Sequence, residues 1–187
     1  FMTPRSPALF GLLVTFAFTF PLRAADKVDN PQYASWAKHQ VGTSVTMKIE
    51  VETGPMTVNQ QMVQTLKEIT PEKAVIESVV KTEMAGQTDE RKVSRDIPAK
   101  VEPDRIDVPA DMKNGTAKTV GKETVEIAGH SYDCRIVEFS GDGQQGKASG
   151  KSWRSEDIPG GLAKSDMVVE AQMKMNIGLV TTAVDLK

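Results

Sequence analysis

The chain is predicted to be mainly β: an antiparallel meander forming a curved half-barrel or barrel, with one short N-terminal helix. Beyond residue 24 it holds 19 Val and 9 Ile but only 4 Leu, and β-branched side chains suit a pleated surface while losing rotamer freedom in a helix. Residues 44–52 alternate apolar and polar side chains without a break, which marks a strand with one dry and one wet face. Similar runs recur between short Gly, Pro and Asn signals, with no helical stretches spaced to make parallel crossovers. A two-sheet β-sandwich is the alternative that the same pattern permits.

The helix is expected at 31–39. Asn30 can cap it, Pro31 suits its first position, and Tyr33 and Trp36 share a face able to plug one end of a sheet. Gly42 ends this element. In 44–52, Val45, Met47, Ile49 and Val51 point one way, and Thr46, Lys48, Glu50 and Glu52 the other. Thr53-Gly54-Pro55 turns the chain into a longer strand at 56–69, with an irregularity at Gln60-Gln61. A turn at Thr70-Pro71-Glu72-Lys73 precedes a third strand at 74–84, followed by a turn at Ala85-Gly86. The polar stretch 91–101 contains Pro98, which cannot donate to a ladder and so suits an edge.

Residues 102–118 are the least regular stretch, with 111–118 expected as an exposed loop around Asn114-Gly115. A hairpin follows, with strands at 122–127 and 131–139 about Ala128-Gly129-His130. Residues 140–146 read as a flexible turn, 147–153 as a strand, and 155–165 as a loop carrying Pro159-Gly160-Gly161. Strands at 166–175 and 177–186 complete the meander.

Residues 1–24 read as a cleavable export signal. Arg5 supplies positive charge, 8–20 is an uncharged apolar run, and Pro21 precedes Leu22-Arg23-Ala24 with its small residue. The run is shorter than the roughly 20 residues a membrane-spanning helix needs. The remainder, 25–187, is expected to be one domain with no stable membrane insertion, periplasmic or secreted. Its charge also excludes some partners. The whole chain carries a net −2, and 1–24 takes away two arginines and no acid. An acidic remainder without a basic tract is a poor partner for nucleic acid or anionic lipid surfaces. Cys134 is the single cysteine, so a disulfide framework is excluded and burial on a strand is expected.

No catalytic or metal-binding constellation is present. The two histidines, His39 and His130, have structural roles available at a helix end and a hairpin turn. With one cysteine they do not make a zinc site, and no cofactor is implied. The glycine-rich stretch 141–152 resembles a phosphate loop but fails on spacing, with Ala148 and Gln145 at required positions and no helix after it. Glu156-Asp157 is the nearest acid pair to a catalytic candidate, and adjacent loop acids are normally solvated.

Two features point to binding. Met47, Met56, Met62, Met84, Met167, Met173 and Met175 fall in strands, mostly in phase with the apolar face. Flexible, polarizable Met suits the wall of an adaptable apolar pocket, as well as a Val/Ile core. Second, Trp153-Arg154 ends a strand before Pro159-Gly160-Gly161 makes a fixed bend, either the mouth of a cavity or a corner closed by Trp153. The candidate ligand-binding residues are therefore Trp153, Arg154, Pro159, Gly160, Gly161, Met47 and Met173.

The stretch from Trp153 to Leu162, Trp36 with Val41-Gly42-Thr43-Ser44-Val45, and Ala128 to Cys134 resemble uncharacterised exported bacterial proteins of planctomycete type. The layout of a helix before a curved meander is similar to the periplasmic lipoprotein-carrier fold group. Those carriers cover the half-barrel with several helices, whereas this sequence supplies one. The expected function is a non-enzymatic exported protein binding a lipid or other apolar or amphipathic small molecule. The alternative is a structural or interaction module that meets an envelope protein and has no ligand cavity.

Overall fold

Alternating side chains and short turns build the molecule, a computed structural model describing residues 26–84, 87–171 and 173–187. The expected export signal and the turn at Ala85-Gly86 lie outside the described residues. In chain order the elements are β1 (Val28–Asp29), α1 (Pro31–Ala37), β2 (Ser44–Thr53), β3 (Met56–Ile69), β4 (Lys73–Met84), β5 (Gln87–Pro98), β6 (Lys100–Val101), a 3-10 turn (Pro103–Arg105), β7 (Lys113–Ile127), β8 (His130–Asp142), β9 (Lys147–Arg154), β10 (Leu162–Glu170) and β11 (Lys174–Asp185). Nine strands form one sheet in the order β5-β4-β3-β2-β11-β10-β9-β8-β7, and β1 pairs with β6 beside it. Every described pairing is antiparallel. The meander is thus an open, curved sheet whose edges are β5 and β7, rather than a closed barrel or a two-sheet sandwich.

Register decides which side chains line the concave face. Met47 stands opposite Met62, Val45 opposite Gln64, and Ile76 opposite Arg95. Toward the other edge, Ser165 meets Ser152, Met167 meets Gly150, and Gly150 meets Phe139. Two apolar clusters make the core. The larger gathers Trp36, Val45, Met47, Leu66, Ala74, Ile76 and Ile97, and extends to Ile127, Cys134, Ile158 and Ala163. The smaller gathers Val108 and Met112 with Phe139, Ala148 and Val169. Gly150 is required by packing: a Cβ there would lie 2.9 Å from the Phe139 ring and 2.2 Å from the Asp166 carbonyl oxygen. The stretch that mimics a phosphate loop is therefore strand and turn.

The helix is capped as expected, with the Asn30 side chain accepting from the Gln32 N–H at 3.0 Å. It ends at Ala37, two residues early. Three other expectations are corrected. Residues 113–118 belong to β7 rather than an exposed loop, because a bulge between Lys113 and Thr116, with Asn114 at φ 49°, absorbs the Asn-Gly turn signal inside the strand. The irregularity in β3 falls between Leu66 and Glu68, not at Gln60-Gln61. The last hairpin turns between Glu170 and Lys174, so Met175 and Asn176 lie within β11.

Candidate functional site

Both edges of the sheet are joined in sequence by residues 99–112, which run as a strap from β5 to β7. The strap begins where β6 pairs with β1, and it is held further along at two places. Val108 and Met112 pack on the concave face. Asp107, its side chain 9% exposed, takes a two-pronged ion pair from Arg135 on β8, with Arg135 Nη2 at 2.8 Å, and Arg154 Nε on β9 lies 3.7 Å away. Asp107 adopts φ +62°, a conformation that costs a non-glycine residue about 1–3 kcal/mol unless its surroundings hold it. Within the strap, Arg105 donates to the carbonyl oxygen of Met112 at 2.9 Å.

Between strap, α1 and concave face lies a cleft of about 540 Å³, open on one side. Met47, Met62, Leu162, Leu179 and Ile97 give it an apolar floor, and Val108 and Pro109 an apolar roof. Arg95, Arg105, Arg154, Asp96, Asp107 and Asp111 also line it. Desolvation lowers the Arg154 guanidinium from its ordinary value, opposed by Asp107 and reinforced by Arg135. The hydrogen bond to Asp107 raises Arg135. Desolvation also lowers Arg95, although the residue as a whole keeps solvent exposure at the sheet edge. A larger concavity of about 720 Å³ lies around Glu123, Asp133 and Glu156, but it is shallower and mostly polar.

The structure separates the residues singled out from the sequence. Met47, Arg154 and Gly160 line the cleft; Trp153, Pro159, Gly161 and Met173 are not among its lining residues. Trp153 is half-buried on the opposite face of β9, donating to Glu123 Oε2 at 2.5 Å, with Lys164 Nζ 4.5 Å from its ring centre. Pro159, Gly160 and Gly161 are buried against α1. Gly160 has φ +80°, and a Cβ there would sit 3.1 Å from Trp36 Nε1. Met173 is 62% exposed in the last turn. Glu156 and Asp157 are solvated and face Lys38 at 3.4 and 3.8 Å. Cys134 is buried, and desolvation raises its thiol, with Asp133 and Glu123 adding to the effect.

Arg95, Arg105, Asp107 and Gln64 were not singled out from the sequence. A signal existed for Arg95: it keeps the parity of Ile97 on β5, which places it on the concave face. Among the described residues no group of three or more His, Cys, Asp or Glu is placed to hold a metal ion. Nor is any described helix long and apolar enough to cross a membrane.

No family model matches the chain, and no curated protein matches its sequence. Several solved structures share its outline. MucB in complex with MucA(peri) matches over 83% of this chain and 54% of its own, at 12% identity and a TM-score of 0.43; the chain spans about half the length of that protein. An exported protein with a YmcC-like fold from Bacteroides fragilis matches over 79% of this chain and 97% of its own, at 10% identity and a TM-score of 0.44. An outer membrane lipoprotein-sorting protein domain from Vibrio parahaemolyticus matches over 84% and 92%, at 10% identity and a TM-score of 0.29. The resemblance to the lipoprotein-carrier group is one of fold, and it is loose. Identities and TM-scores at this level leave function to the site itself.

Proposed function

We propose that this protein is an exported, non-enzymatic binding protein that holds an apolar or amphipathic small molecule on the concave face of its sheet. The observation that carries the reading is the cleft of about 540 Å³ between face and strap, with its Met47, Met62 and Leu179 floor. Pockets for small molecules are concave, mostly apolar and furnished with a few polar groups, commonly about 300–1,000 Å³ in size. Methionine at positions 47 and 62 gives a wall that adapts to flexible chains. Residues 1–24 direct export, and the domain begins after them.

Native mass spectrometry of the full chain, produced with its own leader and recovered from a bacterial periplasm, tests this reading. The protein mass should start at Ala25 and carry a discrete additional mass that solvent extraction removes. A clean unliganded mass, together with no thermal shift on adding fatty acids or phospholipids, would sink the binding reading. It would leave the interaction-module alternative, tested next by crosslinking to envelope proteins.

A further inference from the structure

Three arginines and three aspartates line the cleft, and their pairing leaves Arg95 without a carboxylate. Asp96 is taken by Lys73, with Nζ at 2.6 Å, and Asp107 by Arg135 and Arg154. The Arg105 guanidinium is engaged by strap carbonyl oxygens. Asp111 is exposed at the mouth. Arg95 alone among the cleft arginines has no carboxylate within ion-pair distance and no hydrogen-bonded partner among the described residues. Directly opposite it on the concave face stands Ile76, and Val93 and Ile97 share its side of β5; the nearest polar side chains lie diagonally inward. Gln64 and Ser78 stand opposite each other one row further in, 6% and 8% exposed. Gln64 makes only a long contact from Nε2 to the Met62 sulfur, at 3.9 Å. The next row is Met47 and Met62. Of these polar side chains Gln64 lines the cleft, between the unpaired guanidinium at the edge and the Met47 and Met62 floor.

Resting on the reading of this cleft as a ligand site, we infer that it takes an amphiphile with an anionic head, a carboxylate or a phosphate, held by Arg95 with Gln64 beside it. The alkyl chain lies along Met62, Met47 and Leu179. A guanidinium binds either head through paired N–H donors, so the two share one chemistry at this position.

The test uses delipidated full-length protein and a neutral apolar dye, N-phenyl-1-naphthylamine, displaced in turn by dodecanoate, dodecyl phosphate, dodecanol and inorganic phosphate. Dodecanoate and dodecyl phosphate should displace the dye about tenfold more tightly than dodecanol, equivalent to about 1.4 kcal/mol. Inorganic phosphate alone should not compete. Arg95→Gln should erase the preference of the anionic amphiphiles over dodecanol measured in the same variant, and Arg95→Lys should restore part of it. Equal displacement by dodecanoate and dodecanol, or a preference that survives Arg95→Gln in a folded variant, overturns the inference but spares the binding reading. Competition by inorganic phosphate as strong as by dodecyl phosphate reduces the site to an ion site and also overturns it. Failure of the wild type to bind the dye or any amphiphile overturns both.

Discussion

The concave face is closed by different physics at its two ends. At the α1 end, Trp36 and Ile158 are fully buried, and Gly160 lets the 155–161 bend lie directly on the Trp36 ring. That end is a dry plug made by apolar packing. Beyond the cleft, the strap is clamped by Asp107 between two arginines and seated by Val108 and Met112. One sheet thus carries a stopper made by apolar packing and a cover held by charge as well as packing. Apolar burial is non-directional and hard to undo by parts, whereas an ion pair at partial exposure responds to salt and to competing ions. The stopper should therefore answer chiefly to apolar truncation, and the clamp also to salt and to removal of charge.

Trp36→Ala sharpens this contrast most. Removing a fully buried Trp should cost about 3–5 kcal/mol of unfolding free energy, read by urea denaturation. A loss below about 1 kcal/mol would mean that α1 is an accessory to the fold and not its stopper. Asp107→Ala should act next. It removes the acceptor of Arg135 and the charge facing Arg154, at a cost of about 2 kcal/mol. It should also open residues 102–112 to proteolysis before the sheet unfolds, since a strap without its ion-pair clamp opens locally more readily than a paired strand. If Asp107→Ala proves as costly as Trp36→Ala, or if the strap stays resistant, the two ends are not closed differently and the comparison breaks.

The stopper was legible in the sequence and the clamp was not, for a physical reason. Asn30, Pro31 and the spacing of Tyr33 and Trp36 act within one turn of helix, so local chemistry announces them. The alternation of β2 is equally local, because one of its faces is wet. Asp107, Arg135 and Arg154 are joined across the fold, and nothing at 102–118 marks Asp107 apart from other acids in an irregular stretch. Arg95 was hidden by its setting: β5 is so polar that it reads as a solvated edge, although the parity of Ile97 points Arg95 inward. The Trp153 to Leu162 bend was recognised as a fixed feature, but its partner, α1, lies more than a hundred residues away. The last hairpin was misplaced because the residues between Glu170 and Lys174 include no Gly or Pro, while Asn176 and Gly178 supply false turn signals inside β11.

The smallest effect lies at the joint between α1 and the bend. Burial, followed by the neighbouring Lys38, holds the His39 imidazole below its ordinary value of 6.5, with Asp157 opposing. Its Nε2 is buried without a hydrogen-bond partner. For a base with a lowered folded pKa, the unfolded chain binds the proton more readily. The contribution of neutral His39 is therefore complete above the ordinary value and is lost as the pH falls through and below it. Stability should decline between pH 7.5 and 5.5 in the wild type, and that part of the decline should disappear in His39→Gln. The imidazole is half-buried, so the change should be a shallow slope in thermal midpoint against pH. An unchanged slope in His39→Gln would place the acid sensitivity elsewhere, with the clamped strap as the next region to examine through Asp107→Ala in the same titration.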